Sequence, residues 1–285
     1  MLKRSVILSF FLAFFSILGL PTIVSADMGP KPNLTVYVTN PPGELYYLDL
    51  LVQYRGFDPN IDIESYNQEM LALLFSCEGE GWIPRLTAGG GAPLWGSLTG
   101  RTSGSRMVHE FGYFGLPDTY RIIIVTESGS VTVSDVLTRI ALQSSITYDY
   151  ESGKAVAPSV VFAYAAQFAT TFLLTVLLEG AVLILFRISL KRNWKVFLLA
   201  NFITQVALTL TVGIALVKSG TIIVLFIQFP VEIIIIAVET VLFAYLFTGV
   251  SKRRIIGYGI TANITSWIAG LCMLHFSFLL LNNML

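Results

Sequence analysis

Residues 156–285 are almost continuously apolar, and this half of the chain limits the whole to a membrane architecture. Four segments stand out, at about 157–186, 196–217, 221–248 and 255–281. Each is longer than the roughly 20 residues a helix needs to cross the hydrocarbon of a bilayer. Pro158 sits at the start of the first, where its missing N–H costs nothing. Only 13% of all residues are charged, against roughly 25% in an ordinary soluble protein. The formal net charge is zero, so nothing points to nucleic acid as a partner.

The N-terminus has the three parts of an export signal. Lys3 and Arg4 form a basic start, Ser5–Leu20 an apolar run, and Val24-Ser25-Ala26 a small-residue cleavage site after Pro21. The expected domains are therefore a cleaved signal (1–26), an extracytoplasmic domain (27–155) and a membrane domain (156–285). Cys77 and Cys272 fall in different domains, so no disulfide between them is expected. No spacing suggests zinc, and neither a cofactor nor a metal is expected.

The basic residues orient the membrane half. Arg187, Lys191, Arg192 and Lys195 separate the first two segments, and Lys252, Arg253 and Arg254 the last two. The positive-inside rule places loops 187–195 and 249–254 in the cytoplasm. Residue 156 and the C-terminus then lie outside, in a multi-pass protein of the plasma membrane.

The exported domain reads as β-rich α+β. Leu34, Val36 and Val38 alternate with polar neighbours, and Leu45–Tyr54 follows a Pro-Pro-Gly turn, which predicts a hairpin-like start. Asp62–Phe75 has the apolar spacing of a short amphipathic helix. Tyr120–Thr126 and Val131–Val133 flank Glu127-Ser128-Gly129-Ser130, a hairpin signal. Ser134 is a candidate cap for a helix from Asp135 to about Gln143, and Ile146–Tyr150 a last strand. The glycine-rich stretch 88–92 lacks the Lys-Ser/Thr ending of a phosphate loop and reads as a plain loop. Tyr46, Tyr47, Trp82, Trp95, Phe111, Tyr113 and Phe114 form either a core or a ligand surface, with core the commoner use. His109 beside Glu110 resembles half of an acid/base pair but has no nucleophile.

Ionisable residues at membrane depth are costly and point to function. Counting about 1.5 Å per helical residue from the nearest basic residue, Glu179 lies about 12 Å deep, Asn201 about 9 Å, Glu239 about 20 Å and Asn263 about 13 Å. Asn201 and Gln205 share one helix face at i, i+4, with Thr204 beside them. Glu232 and Glu239, seven residues apart, share another. These faces are expected to converge, and Glu179, Asn201, Gln205, Glu232, Glu239 and Asn263 are the candidate ion- or substrate-binding residues. The opposing expectation is hydrogen-bonded glue between helices. His275 lies near the outer end of the last segment, away from the cluster.

The start Asp27-Met28-Gly29-Pro30-Lys31-Pro32, the run Tyr46-Tyr47-Leu48-Asp49-Leu50-Leu51, the Phe111/Tyr113/Pro117 segment and the membrane polar set together resemble a group of uncharacterised polytopic membrane proteins from Gram-positive bacteria. The resemblance covers nearly the whole mature chain. It implies a single-membrane cell with the exported domain on its surface, and implies no activity.

The resulting fold class is an all-α four-helix membrane bundle preceded by an extracytoplasmic β-rich α+β domain. The expected function is that of an integral membrane protein, transport-related or ion/proton-coupled through the Glu/Asn cluster. Four helices make a narrow bundle, so a homo-oligomer or a partner membrane subunit would be needed besides the lipid bilayer. The alternative is a cell-surface ligand-binding or sensing protein whose polar helix faces are purely structural. No catalytic residue emerges, which disfavours an enzyme.

Overall fold

The structure, a computed structural model, describes residues 29–53, 61–89 and 92–285. The export signal, Tyr54 and two glycines of the 88–92 loop lie outside the described residues. The chain divides into two compact units, Pro30–Val160 and Val161–Met284.

Among the described residues, the first unit contains two five-stranded sheets. Strands β1 (Asn33–Thr39), β4 (Arg101–Ser103), β5 (Arg106–Gly112), β9 (Gln143–Asp149) and β10 (Lys154–Val156) build one, in the order β10-β9-β1-β5-β4. Strands β2 (Tyr46–Val52), β3 (Ile83–Pro84), β6 (Thr119–Thr126) and β7 (Val131–Val133) build the other in the order β3-β2-β6-β7, with β8 (Leu137–Thr138) also on β6. Among the described strands only β1–β9 is parallel. Helices α1 (Gln68–Leu74) and α2 (Arg85–Ala88) complete the unit.

The expected hairpin of the first two strands does not form, because β1 and β2 belong to different sheets. Burial gives the reason. Strand β1 alternates half-buried and buried residues, whereas every residue of β2 is buried. One face of β2 meets the first sheet through Tyr46, which touches His109 of β5. Its other face is covered by helices: Tyr47 accepts the Asn67 N–H ahead of α1, and Asp49 accepts N–H groups of Leu86 and Thr87 in α2. Leu34, Val36, Phe111 and Tyr148 from one sheet and Leu48, Leu50, Ile122 and Ile124 from the other share a single core.

The hairpin at Glu127–Ser130 is present, with Val125 opposite Val131 and Ile123 opposite Val133. The amphipathic segment becomes a 3-10 turn, Ile63–Ser65, and then α1, which Asn67 caps at the N–H groups of Glu69 and Met70. No helix follows Ser134. Its hydroxyl instead accepts the Ile122 N–H and donates to the Asp135 carbonyl, and the chain runs on into β8.

In the second unit three helical runs are long and apolar enough to cross a membrane: Val160–Leu185, Leu190–Leu246 and Lys252–Asn282. They comprise α3 (Val160–Leu185), α4 (Leu190–Leu208), a π turn (Thr209–Gly213), α5 (Ile214–Leu246) and α6 (Lys252–Asn282). The segments expected at 196–217 and 221–248 are thus joined in one run. That run contains a backbone break at Gly220, with φ 74° and ψ −174°. Thr204 and Glu239 hydrogen-bond across a sequence separation of 35, which a straight helix would stretch to about 52 Å. Asn193 likewise holds both backbone groups of Thr248, 55 residues on. The run is therefore folded back at Gly220.

Helix α4 starts at Leu190 rather than 196, so Lys191, Arg192 and Lys195 belong to its first turns and not to a loop. Lys252 and the two arginines after it likewise open α6. Asn193 and Arg192 meet the Thr248–Gly249 turn, where a Cβ on Gly249 would stand 2.5 Å from Arg192 Nη1.

Candidate functional site

The six candidate residues are all buried, from 0% exposed for Asn201 to 6% for Glu232. Helices α3, α5 and α6 bring the inner ones together. Thr204 of α4 donates its hydroxyl to Glu239 Oε1, and Asn263 of α6 donates its amide to Glu239 Oε2 at 3.0 Å. One turn along α6, the Ser266 hydroxyl donates to Glu179 Oε1 of α3 at 2.9 Å. Glu179 Oε2 has no hydrogen-bond partner. Asn201 gives its amide N–H to the Phe197 carbonyl and approaches the Glu179 carboxyl.

Gln205 binds the α3 hydroxyl of Thr171 at 2.8 Å, tying α4 to α3. Glu232 stands apart from the inner pair, seven residues and about 10 Å up α5. Its recorded partner is Gln228 Nε2, at 3.3 Å. A cavity of about 100 Å³ joins these levels, lined by Glu179, Gln205, Glu232, Glu239 and Asn263 among others; Asn201 is outside its lining. Beyond the inner carboxylates, towards the basic ends of the helices, rings of Phe243, Phe247, Tyr258 and Phe186 pack against one another and fill the bundle.

Sequence reasoning missed Gln167, Thr171 and Gln228, which also line the cavity. The signal for Gln228 was present, since it lies one turn before Glu232. Gln167 is set by close packing, because a Cβ on Gly213 of the π turn would stand 2.7 Å from its Oε1. Such turns in a helix often mark functional positions. Among the described residues, no group of three or more His, Cys, Asp or Glu side chains is placed to hold a metal ion.

In the β unit the aromatic set divides. Tyr46, Tyr47, Trp82 and Phe111 lie in the core. Trp95 and Phe114 are exposed, and Tyr113 stacks on Trp95 at 4.2 Å. His109 and Glu110 point to opposite sides of β5 and form no acid/base pair: His109 is buried on Tyr46, and Glu110 is exposed on Arg101. Burial pushes the His109 imidazole down to about 4 and the Asp49 carboxyl up to about 6.

No protein-family model, curated protein or solved structure matches this chain. The functional reading therefore rests on the site itself.

Proposed function

We propose that the chain is a multi-pass membrane protein that couples to the movement of a proton or small cation through its buried carboxylates. In this reading the two arms of the Leu190–Leu246 run cross the membrane separately, giving a four-helix bundle. The basic ends lie in the cytoplasm, and the β unit stands outside.

One observation carries the reading. Glu179 and Glu239, from two helices, converge with Thr204, Asn263 and Ser266 on one cavity, and a buried oxygen of Glu179 is left unpartnered. Glue between helices needs only neutral donors and acceptors. Carboxyl groups at this depth are expensive, and they bring one property that amides and hydroxyls lack: they take up and release a proton or a cation.

Flux into proteoliposomes tests it, with wild type compared with E179Q and E239Q. Variants that fold normally but lose proton or cation flux support the reading; variants that match wild type make the polar layer structural. Orientation is tested by cysteine labelling at Ser128 and Ser251 in intact cells. Labelling of Ser251→Cys from outside would reverse it.

A second reading has its own observation. The exposed Trp95–Tyr113–Phe114 cluster, with Lys31 4.9 Å above the Phe114 ring, suits a β unit that binds a ligand at the cell surface. Loss of phenotype in W95A with flux intact would favour it.

A further inference from the structure

The cavity differs in chemistry along its length. Its lining includes three carboxyl side chains and no lysine, arginine or histidine. Carboxylates removed from water have to be neutralised, and here no side chain of the lining supplies the positive charge. At the inner end donors converge: a hydroxyl and an amide on Glu239, and a hydroxyl on Glu179.

At the other end acceptors accumulate instead. Glu232 receives one long bond from Gln228, and the carbonyl oxygens of Gln228 and Gln167 have no hydrogen-bond partner. Both glutamines are more than nine-tenths buried and both line the cavity. Gln167 lies 12 residues before Glu179, and Gln228 lies 11 before Glu239. Each therefore stands about 17 Å along its helix from an inner carboxyl. Two unpartnered amide carbonyls and a carboxyl thus border one end of one cavity, where unpaired buried acceptors are costly.

We infer that this end binds a monovalent cation through oxygens of Glu232, Gln228 and Gln167, an inference that rests on the functional reading above. Carboxylate, carbonyl and hydroxyl oxygens suit hard cations. Calcium sites gather about six to eight oxygens, several of them from carboxylates, and no group of three or more His, Cys, Asp or Glu side chains is placed to hold a metal ion among the described residues. A cavity of about 100 Å³ has room for a small cation together with water. An alkali-metal ion and ammonium share this chemistry.

The test uses the full-length protein in nanodiscs. Trp267 lines the cavity, and its fluorescence, identified by loss of the signal in W267F, is followed while NaCl, KCl or NH4Cl replaces choline chloride at constant ionic strength. A saturable change is expected with an alkali cation or with ammonium and none with choline; the separate titrations tell the two sources apart. Half-saturation should weaken by about tenfold or more in Q228A and in E232Q, the effect of losing one good ligand contact. Equal responses to all salts including choline, or Q228A and E232Q that fold and titrate like wild type, would overturn the inference. Failure of the functional reading shows separately, in the flux of E179Q and E239Q.

Discussion

Replacing His109 with glutamine should reveal a pH dependence of the β unit that the wild type conceals. His109 is 1% exposed, and its Nε2 lies 3.0 Å from the Tyr46 hydroxyl. Burial moves the imidazole from 6.5 to about 4. Its contribution to stability is complete above pH 6.5 and is lost as pH falls towards 4, where the unfolded chain takes up a proton that the folded one refuses. Asp49 acts in the opposite sense. Burial moves its carboxyl from 3.8 to about 6, although N–H groups of Leu50, Leu86 and Thr87 and the Thr87 hydroxyl all bond to it and pull the value back. Its contribution is complete below pH 3.8 and is lost as pH rises through 6. At about 1.36 kcal/mol per tenfold change in protonation, each ramp amounts to roughly 3 kcal/mol. They span nearly the same window and oppose each other, so the wild-type β unit should be nearly flat in stability between about pH 4.5 and 6. Glutamine keeps a polar group beside Tyr46 and removes one ramp. H109Q should then be more stable at pH 4.5 than at 6.5 by about 2–3 kcal/mol, or roughly 10 °C in melting temperature for a unit of this size. Near-UV circular dichroism melts of the full chain in nanodiscs at half-unit pH steps would measure it. Parallel profiles for H109Q and wild type would refute the opposing-ramp account.

Gly115→Ala should unfold the β unit or cost it about 3 kcal/mol. A Cβ there would run into the buried Arg85 guanidinium and the Ala92 carbonyl and stand 2.8 Å from the Pro93 carbonyl; the same melts check it. Gly220→Ala places a side chain at φ 74° and ψ −174°, a backbone region essentially reserved for glycine, at a strain of about 1–3 kcal/mol, and should lower the melting temperature of the helical unit in micelles without moving that of the β unit. An unchanged helical transition would mean that the chain does not reverse at Gly220.

What the sequence makes legible here depends on whether a property is local or pairwise. The 127–130 turn is legible because a hairpin is settled within a few residues. Pairing of β1 with β5 and β9 depends on partners about 75 and 110 residues away, and the Pro-Pro-Gly turn after β1 indicates a reversal without saying into which sheet the chain returns. Strand β2 shows the cost of that ambiguity. Asp49 makes it look like a strand with one wet face, yet the carboxylate is buried because α2 brings two N–H groups and a hydroxyl to it. The start of α4 was misplaced for a related reason: apolar windows report the hydrocarbon layer, and a helix continues through Lys191, Arg192 and Lys195 because charged side chains do not break it.

In the membrane half, depth could be counted along each helix, but which helix faces which could not. Glu232 and Glu239 share a face of α5 and look equivalent in sequence. They become different only through their neighbours. Glu239 meets a threonine of α4 and an asparagine of α6, so its charge has donors waiting. Glu232 takes one long bond from Gln228 Nε2, on a cavity whose lining also carries the unpartnered amide oxygens of Gln228 and Gln167. A carboxylate among donors is partly compensated by their hydrogen bonds, whereas one among acceptors is compensated only by taking up a proton or a cation. Placement of two hydroxyls and one amide at the inner level therefore turns a sequence with three similar glutamates into a site with two chemically distinct ends.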